Sequence, residues 1–516
     1  GMAQIFVGTN NINLLKPNGQ FGCLDPNTDI LMWDSRIKKA KDIVVGDKLV
    51  GDDGNIRNVL KTTQGVDTMY EISMVNGEKY VVNSQHILTL KFKGNKSIWY
   101  KESTKQWKVD YYDITRNKVV SKSISTIERS RNNTYNKSKL SKEEAYHKIL
   151  EYVNSLNKSE ENNDEIFDIK IDDFLKLSDS NKKRFYCVKN SQCINWDYQD
   201  IEIDPYVLGI WLGDGNSNGT GIASADEEVL QSFAMYLDTL SCELVHDINN
   251  IDKNGKKHDG YHFTVRKQGN GHRTSIGDEN HNPKSCIGCQ TTDNIHKICN
   301  WKFEKSKVNK NLFNGTASNG MRRNDMNPWK EILKKCDLFN NKHIPLNYMH
   351  NNKTTRLQLL AGIIDTDGSV KYNNGIPIIE ITQSTRLRFE LIKSIQFLAN
   401  SLGYRTSVSV SKTNKMTKKR ENISNTTLLI SGHNIDEIPT RVERKKIKFL
   451  KERIINPYNF AFTIKKLGED KFCGWSVDGN ERFLLGDFTI THNSRLVGGS
   501  DASSPRYIFT LVSELT

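Results

Sequence analysis

Short apolar stretches broken by turn residues fill the region 23–90. Asp29-Ile30-Leu31-Met32 reads as a strand, and Val44-Val45-Gly46-Asp47-Lys48-Leu49-Val50 as a turn followed by a strand. Asp52-Asp53-Gly54-Asn55 is a hairpin signal. Residues 70–74, Asn76-Gly77 and 80–82 repeat the strand–turn–strand pattern. The pattern predicts a compact, turn-rich, all-β segment. Residues 1–22 have few periodic apolar positions and read as loop or turn with a short buried piece. Residues 91–140 are polar and basic with interleaved rings, Trp99, Tyr100, Trp107, Tyr111 and Tyr112, which suit either a DNA-contacting arm or aromatic pairs across exposed strands. Ser141-Lys142-Glu143-Glu144 is a capping box that opens a helix carrying Ile149, Val153 and Leu156. Residues 160–165 form a polar linker, and 167–188 return to short strands and a helical turn.

A different pattern begins at Pro205. A short apolar helix over 206–212 ends at Gly213-Asp214-Gly215, and a strand over 221–224, a helix over 227–240 and further strands follow. The same order returns. A helix over 357–364 ends at Asp367-Gly368, with strands over 369–372 and 378–382, a helix over 387–402 capped by Gly403, and a strand over 407–410. A polar insert, 269–341, separates the copies, and 464–492 reads as β again.

The length of 516 residues predicts several domains. Apolar content of 36% is enough for cores, and no run approaches the ~20 apolar residues of a membrane span. Gly1-Met2-Ala3-Gln4 does not open a signal peptide, and nine irregularly spaced cysteines do not form a disulfide framework. An intracellular protein is expected, in a nucleus or at a viral or cytoplasmic site of DNA metabolism. The net charge of +13 suits a polyanionic partner or a solvated basic surface.

The repeat carries chemistry. Val207-Leu208-Gly209-Ile210-Trp211-Leu212-Gly213-Asp214-Gly215 aligns with Leu360-Ala361-Gly362-Ile363-Ile364-Asp365-Thr366-Asp367-Gly368. Glycine in mid-helix is destabilising, so Gly209 and Gly362 need a reason; two helices packed backbone to backbone supply one. Such packing sets Asp214 beside Asp367, and paired carboxylates suit magnesium and two-metal phosphodiester hydrolysis. The second copy resembles the LAGLIDADG homing endonuclease signature almost letter for letter, and the first is a looser variant. Lys342-His343-Ile344-Pro345 resembles a block that the family carries between the motifs, which implies that Lys342 positions water or stabilises charge.

Thr489-Ile490-Thr491-His492-Asn493-Ser494 holds three reactive groups: a proton donor in His492, a cyclising amide in Asn493 and a hydroxyl in Ser494. Cys23 is a matching upstream nucleophile, able to take the acyl group of Gly22. Asn83-Ser84-Gln85-His86 offers donors, with His86 to protonate the leaving nitrogen and Asn83 to orient the amide. Together with the repeat, these residues resemble an intein spanning 23–493. The resemblance implies an α+β chain: an all-β Hedgehog/intein (Hint) horseshoe with an inserted pseudo-twofold α/β LAGLIDADG endonuclease. Expected boundaries are 1–22 for the N-extein, 23–200 and 441–493 for the splicing domain, 201–440 for the endonuclease and 494–516 for the C-extein. Asn83 stands where most inteins carry Thr. Gly474 stands where many place an Asp that assists the branch step, and this leaves open a nuclease whose splicing site is degenerate, or a passenger insert with neither activity.

Joined at Gly22 and Ser494, residues 1–22 and 494–516 resemble eukaryotic-type DNA topoisomerase II around its active-site tyrosine. This implies Tyr507 as the nucleophile towards DNA, with Arg506 stabilising the phosphate. Within the insert, Cys286, Cys289, His296 and Cys299 could form a zinc site, with His281 a rival ligand, or be reduced loop cysteines. Basic runs at 415–420 and 441–448 suit phosphate contact or a solvated face. The implied partner is long, asymmetric double-stranded DNA, bound by a monomer without a membrane.

Overall fold

Two compact units divide the chain, residues 1–190 with 458–516, and residues 191–457. The computed structural model describes residues 23–129, 135–138, 140–159, 166–246, 262–267, 327–412, 424–451 and 456–493.

The first unit is built on strands. β1 (Ile56–Met74) is 19 residues long and pairs with β2 (Lys79–Asn83) through the Asn76-Gly77 turn. β3 (Ile87–Phe92) pairs with β4 (Ile166–Lys170) in a second antiparallel sheet. β5 (Phe462–Val477) runs antiparallel along nearly all of β1, so a late segment closes an early one. The short β6 (Arg482–Leu484) and β7 (Ile490–His492) form the last hairpin. Leu24, Ile30, Leu49, Ile72, Val82, Leu88, Trp475 and Phe483 share one buried cluster.

The 91–140 region is a three-stranded antiparallel sheet over Ile98–Lys101, Gln106–Asp113 and Lys118–Ser125. Helix α1 (Lys142–Ser159) lies against it and starts at the capping box: the Ser141 amide donates to Glu144 Oε2 at 2.8 Å, and the Glu144 amide to Ser141 Oγ at 3.0 Å. Most of the rings pack within this layer. Trp107 packs on Tyr100 and Tyr146, Tyr111 Oη bonds to Tyr152 Oη at 3.0 Å, and Tyr112 is buried against Phe167 and Phe185. Of the five rings only Trp99 is exposed, beside the Lys108 ammonium.

The second unit holds the repeat. α2 (Pro205–Asp214) begins at Asp204, whose side chain accepts from the Val207 amide, with Pro205 in the first turn. α3 (Lys353–Asp367) begins at Asn352, which accepts from the Thr355 amide at 2.9 Å. α2 is apolar on nearly every face and buried; α3 is polar in its first turn and buried through residues 359–365, where it meets α2. Each is followed by an antiparallel sheet: Ile222–Ala223, His262–Lys267 and Cys242–His246 in that order after α2, and Gly368–Asn373, Ile376–Ser384, Ser424–Ser431 and Arg405–Lys412 after α3. Outer helices Glu227–Thr239 and Thr385–Ser401 complete the halves.

The unit borders fall outside the expected 201 and 440, and hydrogen bonding explains both corrections. The Ile194 amide donates to the Ser401 carbonyl, and buried Arg356 bonds to the carbonyls of Asn351, Ile194 and Ser401, which ties 191–200 to the second unit. At the other end the Arg441 amide donates to Asp365 Oδ2 at 2.6 Å, and Val442 and Ile447 enter the second core. Three cations of the basic run there have partners within the unit. Arg441 lies over the Tyr206 ring, Arg444 pairs with Asp226, and Lys445 is buried. Burial of the Lys445 side chain corrects the phosphate-contact reading for that residue. No helix among the described residues is long and apolar enough to cross a membrane.

Candidate active sites

Cys23 enters the first unit as a strand. The Leu24 amide donates to the Cys473 carbonyl at 2.8 Å, the Cys473 amide donates back to the Leu24 carbonyl at 2.9 Å, and the Asn83 amide donates to the Cys23 carbonyl at 3.1 Å. The Cys23 amide, which belongs to the Gly22–Cys23 peptide, donates to Asn83 Oδ1 at 2.9 Å. Asn83 is oriented in turn, because its Nδ2 donates to Asp67 Oδ2 at 3.2 Å and Ser84 Oγ donates to the same oxygen at 2.8 Å. A carboxylate only accepts, so Asp67 fixes which end of the amide faces Cys23. The thiol is buried, and burial, with lesser contributions from Cys473 and Asp67, raises its pKa far above the ordinary range.

Gly474 stands directly behind this thiol. A Cβ there would lie 2.3 Å from Cys23 Sγ and 3.2 Å from its Cβ. The position that resemblance would give to an acid is therefore filled by the nucleophile itself.

Backbone and side chains link Cys23 to the far end of the chain. The His86 amide donates to the Asn83 carbonyl at 3.2 Å, and His86 Nε2 bonds to Thr491 Oγ1 at 2.8 Å. Burial, then the neighbouring His492, pushes the His86 pKa down to about 3, so the ring is neutral at pH 7 and serves as a hydrogen-bonding group. His492 is buried on β7, with Nε2 3.9 Å from Asp168 Oδ2 and 4.0 Å from Glu481 Oε2. The Asn493 amide donates to the Glu481 carbonyl at 2.8 Å. His86 Nδ1, His492 Nδ1 and Asn493 Nδ2 are buried without hydrogen-bond partners among the described residues. Cys23, Asn83, His86, His492 and Asn493 thus share one neighbourhood. Ser494 lies outside the described residues, as do Arg506, Tyr507, Cys286, Cys289, His296, Cys299, His281 and the 415–420 run.

In the second unit α2 and α3 touch backbone to backbone. A Cβ on Gly209 would lie 2.4 Å from the Leu359 carbonyl oxygen, and one on Gly362 would lie 2.1 Å from that of Tyr206. The contact brings the helix ends together, with Gly213 against Thr366 and Asp367. Burial above all raises the Asp214 pKa to about 6, with Asp367 adding to the rise and Ser224 opposing it. Asp367 is likewise raised by burial and accepts from Gln383 Nε2. Lys342 Nζ donates to the carbonyls of Leu212 at 3.0 Å and Gly213 at 2.9 Å, and burial lowers its pKa to about 8. Lys445 repeats this at the other helix, donating to Ile364 at 3.0 Å, Asp365 at 2.7 Å and Thr366 at 2.9 Å. Each motif helix therefore ends on an ammonium, half-buried for Lys342 and buried for Lys445, as its dipole favours.

Lys445, Asp67, Asp168 and Glu481 were not legible as site residues. Lys445 had a signal, since it follows the second motif as Lys342 follows the first. The three acids have none, because their neighbours lie in remote strands. Asp214 and Asp367 are hard oxygen donors at a shared seam, which fits a divalent cation. Among the described residues no group of three or more His, Cys, Asp or Glu side chains gathers to hold a metal.

A family model described as Hom_end-associated Hint matches residues 23–492. The catalytic polypeptide of a V-type proton ATPase from Candida tropicalis is 22% identical over 505 residues, 92% of this chain and 43% of its own length. A replicative DNA helicase DnaB of Mycobacterium intracellulare is 34% identical over 80 residues, 16% of this chain and 13% of its own. The chain thus spans less than half of either relative. Among solved structures, a triply substituted gp41-1 intein is 22% identical with a TM-score of 0.12, over 13% of this chain and 52% of its own. Another gp41-1 intein structure is 17% identical with a TM-score of 0.13, over 16% and 69% respectively.

Proposed function

The chain belongs to the Hom_end-associated Hint family, an intein splicing domain associated with a homing endonuclease, and from that premise we propose that it excises residues 23–493 and joins Gly22 to Ser494. The observation that carries this reading is the link from the Cys23 amide through Asn83 and His86 to Thr491, beside His492 and Asn493. It gathers residues from both ends of the family match. Cys23 Sγ attacks the Gly22 carbonyl carbon, and the amide nitrogen leaves with a proton, giving a thioester. Ser494 Oγ then takes the acyl group. Asn493 cyclises and releases the chain behind it, and the ester rearranges to an amide. Asn83, locked by Asp67, holds the Gly22–Cys23 amide during the first step.

The same chain carries a DNA endonuclease in its second unit, on this reading. Asp214 and Asp367 would hold magnesium, which when bound supplies an activated water and neutralises charge on the phosphate. Lys342 and Lys445 keep positive charge at the seam and fix the helix ends that present the aspartates. The partner is double-stranded DNA carrying the uninterrupted host sequence, bound by one copy of the chain. The host is a eukaryotic-type DNA topoisomerase II, with Tyr507 as its DNA nucleophile and Arg506 beside it. What supports this is the joined text of residues 1–22 and 494–516. The two curated relatives carry unrelated names, so the part they share with this chain is not the activity of either name. A zinc site at Cys286, Cys289, His296 and Cys299 would order the insert.

Expression of the whole chain in a neutral host tests the reading. Wild type should yield free 23–493, and Cys23→Ala only precursor. Incubation with magnesium and DNA holding the joined host sequence should give cleavage near the Gly22/Ser494 codons. Persistent precursor from wild type sinks the splicing claim, and intact DNA across a range of salt sinks the nuclease claim.

A further inference from the structure

We propose that Asp168 is a positioning residue for the cyclisation of Asn493, acting through His492. The inference rests on the splicing reading above. Asp168 Oδ2 lies 3.9 Å from His492 Nε2, and Glu481 Oε2 lies 4.0 Å from the same nitrogen. Asp168 is itself immobilised. Thr89 Oγ1 donates to its Oδ1 at 3.0 Å, and Arg482 donates to its Oδ2 through Nε at 3.1 Å and Nη2 at 2.7 Å. Arg482 in turn stands directly opposite His492 in the β6–β7 pair and lies 3.5 Å from Asp52. The second ring nitrogen, Nδ1, is buried with no hydrogen-bond partner among the described residues, and so is Asn493 Nδ2.

This arrangement turns the Nε2 edge of the imidazole to two carboxylates, one of them paired with Arg482, and leaves the Nδ1 edge for a reacting group. The groups that face His492 come from every neighbouring element: Asp168 on β4, Glu481 and Arg482 at β6, and the neutral ring of His86 before β3. In the cyclisation, Asn493 Nδ2 forms a bond to its own backbone carbonyl carbon, and the bond from that carbon to the Ser494 nitrogen breaks. The attacking amide loses one proton and the leaving nitrogen gains one. His492 passes that proton, donating from Nδ1 to the leaving nitrogen and being restored by the proton that Nδ2 sheds. While the ring is charged it stands beside Asp168, which holds its orientation and balances its charge, as the buried acid does behind the histidine of a hydrolase triad.

A carboxylate that only anchored Arg482 would show the same bonds, so the experiment separates the two roles. In the full chain, release of residues 494–516 reads the cyclisation, and thiol-induced cleavage at Gly22–Cys23 reads the first step. Asp168→Asn should slow release by about 10- to 100-fold, a share of the 10²–10⁴ that a positioned acid supplies, and leave the thiol-induced cleavage unchanged. Asp168→Glu should recover part of the rate. In a His492→Ala background, Asp168→Asn should cost nothing further, because the route through His492 is already lost. A further loss in that background, or parallel loss of both cleavages, makes Asp168 a merely structural acid and overturns the proposal. Failure of wild type to splice would count instead against the reading on which it rests.

Discussion

Gly474 shows how one absent atom can decide which chemistry a site supports. Resemblance to other inteins sets an acid there, yet the space a side chain would need belongs to the Cys23 thiol, 2.3 Å from the point where a Cβ would sit. Both neighbouring backbones are pinned by the Leu24–Cys473 bonds, so neither strand is free to yield. Gly474→Ala should therefore displace the Cys23 thiol from its place beside the Gly22–Cys23 peptide, at an overpacking cost of about 1–3 kcal/mol. The expected outcome is loss of thiol-induced cleavage at Gly22–Cys23 together with a lower unfolding midpoint. Gly474→Asp should do the same rather than improve the branch step; an aspartate variant that splices as fast as wild type would refute the collision argument. Two acids that this fold does supply, Asp67 and Asp168, stand behind Asn83 and His492.

At the scale of elements, the two motif helices show what an unusual residue costs and what it gains. Alanine in place of Gly362 should help an isolated helix by about 1 kcal/mol. Here its Cβ would meet the Tyr206 carbonyl oxygen at 2.1 Å and Gly209 Cα at 3.0 Å, and both are backbone atoms. The collision outweighs the propensity gain, so Gly362→Ala should lower the stability of the second unit and abolish magnesium-dependent DNA cleavage by spreading Asp214 from Asp367. A variant that melts higher and still cuts would mean the helices can separate without harm. This seam was readable because a glycine in a buried apolar helix conflicts with local preference, and the conflict occurs twice at the same place in a repeat. The capping box of α1 was readable for a similar local reason. The full length of β1 and its pairing with β5 were not, because through the middle of that pairing, around Gln64–Asp67 and Glu469–Lys471, the strands are mostly polar and largely exposed. Lys445 was hidden in a basic run whose composition suggests a surface, although its ammonium is buried on three carbonyls. Asp168 was hidden because Arg482 and His492 are more than 300 positions away.

The whole molecule places two chemistries in two cores that share no site residue. The point at which the chain leaves the first unit is closed within that unit. The Lys189 amide donates to the Tyr458 carbonyl at 3.0 Å, and Cys187 and Val188 pair with Phe460 and Asn459 as neighbouring strands. Residues 190 and 458 therefore end adjacent strands, a spacing that a connection of about 4–6 residues spans. Every splicing residue described above, with its supporting acids, lies within 23–190 or 458–493. Replacing 191–457 by a short Gly/Ser linker should leave the first unit folded and splicing, since shortening the path between fixed ends lowers the entropy cost of closing it. The measurement is the yield of joined exteins, and of thiol-induced cleavage, from the shortened chain against the full one. If the shortened chain is insoluble or retains only precursor while the full chain splices, the second unit is part of the splicing machinery and the two chemistries are not separable. If it splices, the endonuclease is a passenger in the physical sense, joined to the splicing unit by chain connectivity and not by shared catalytic groups.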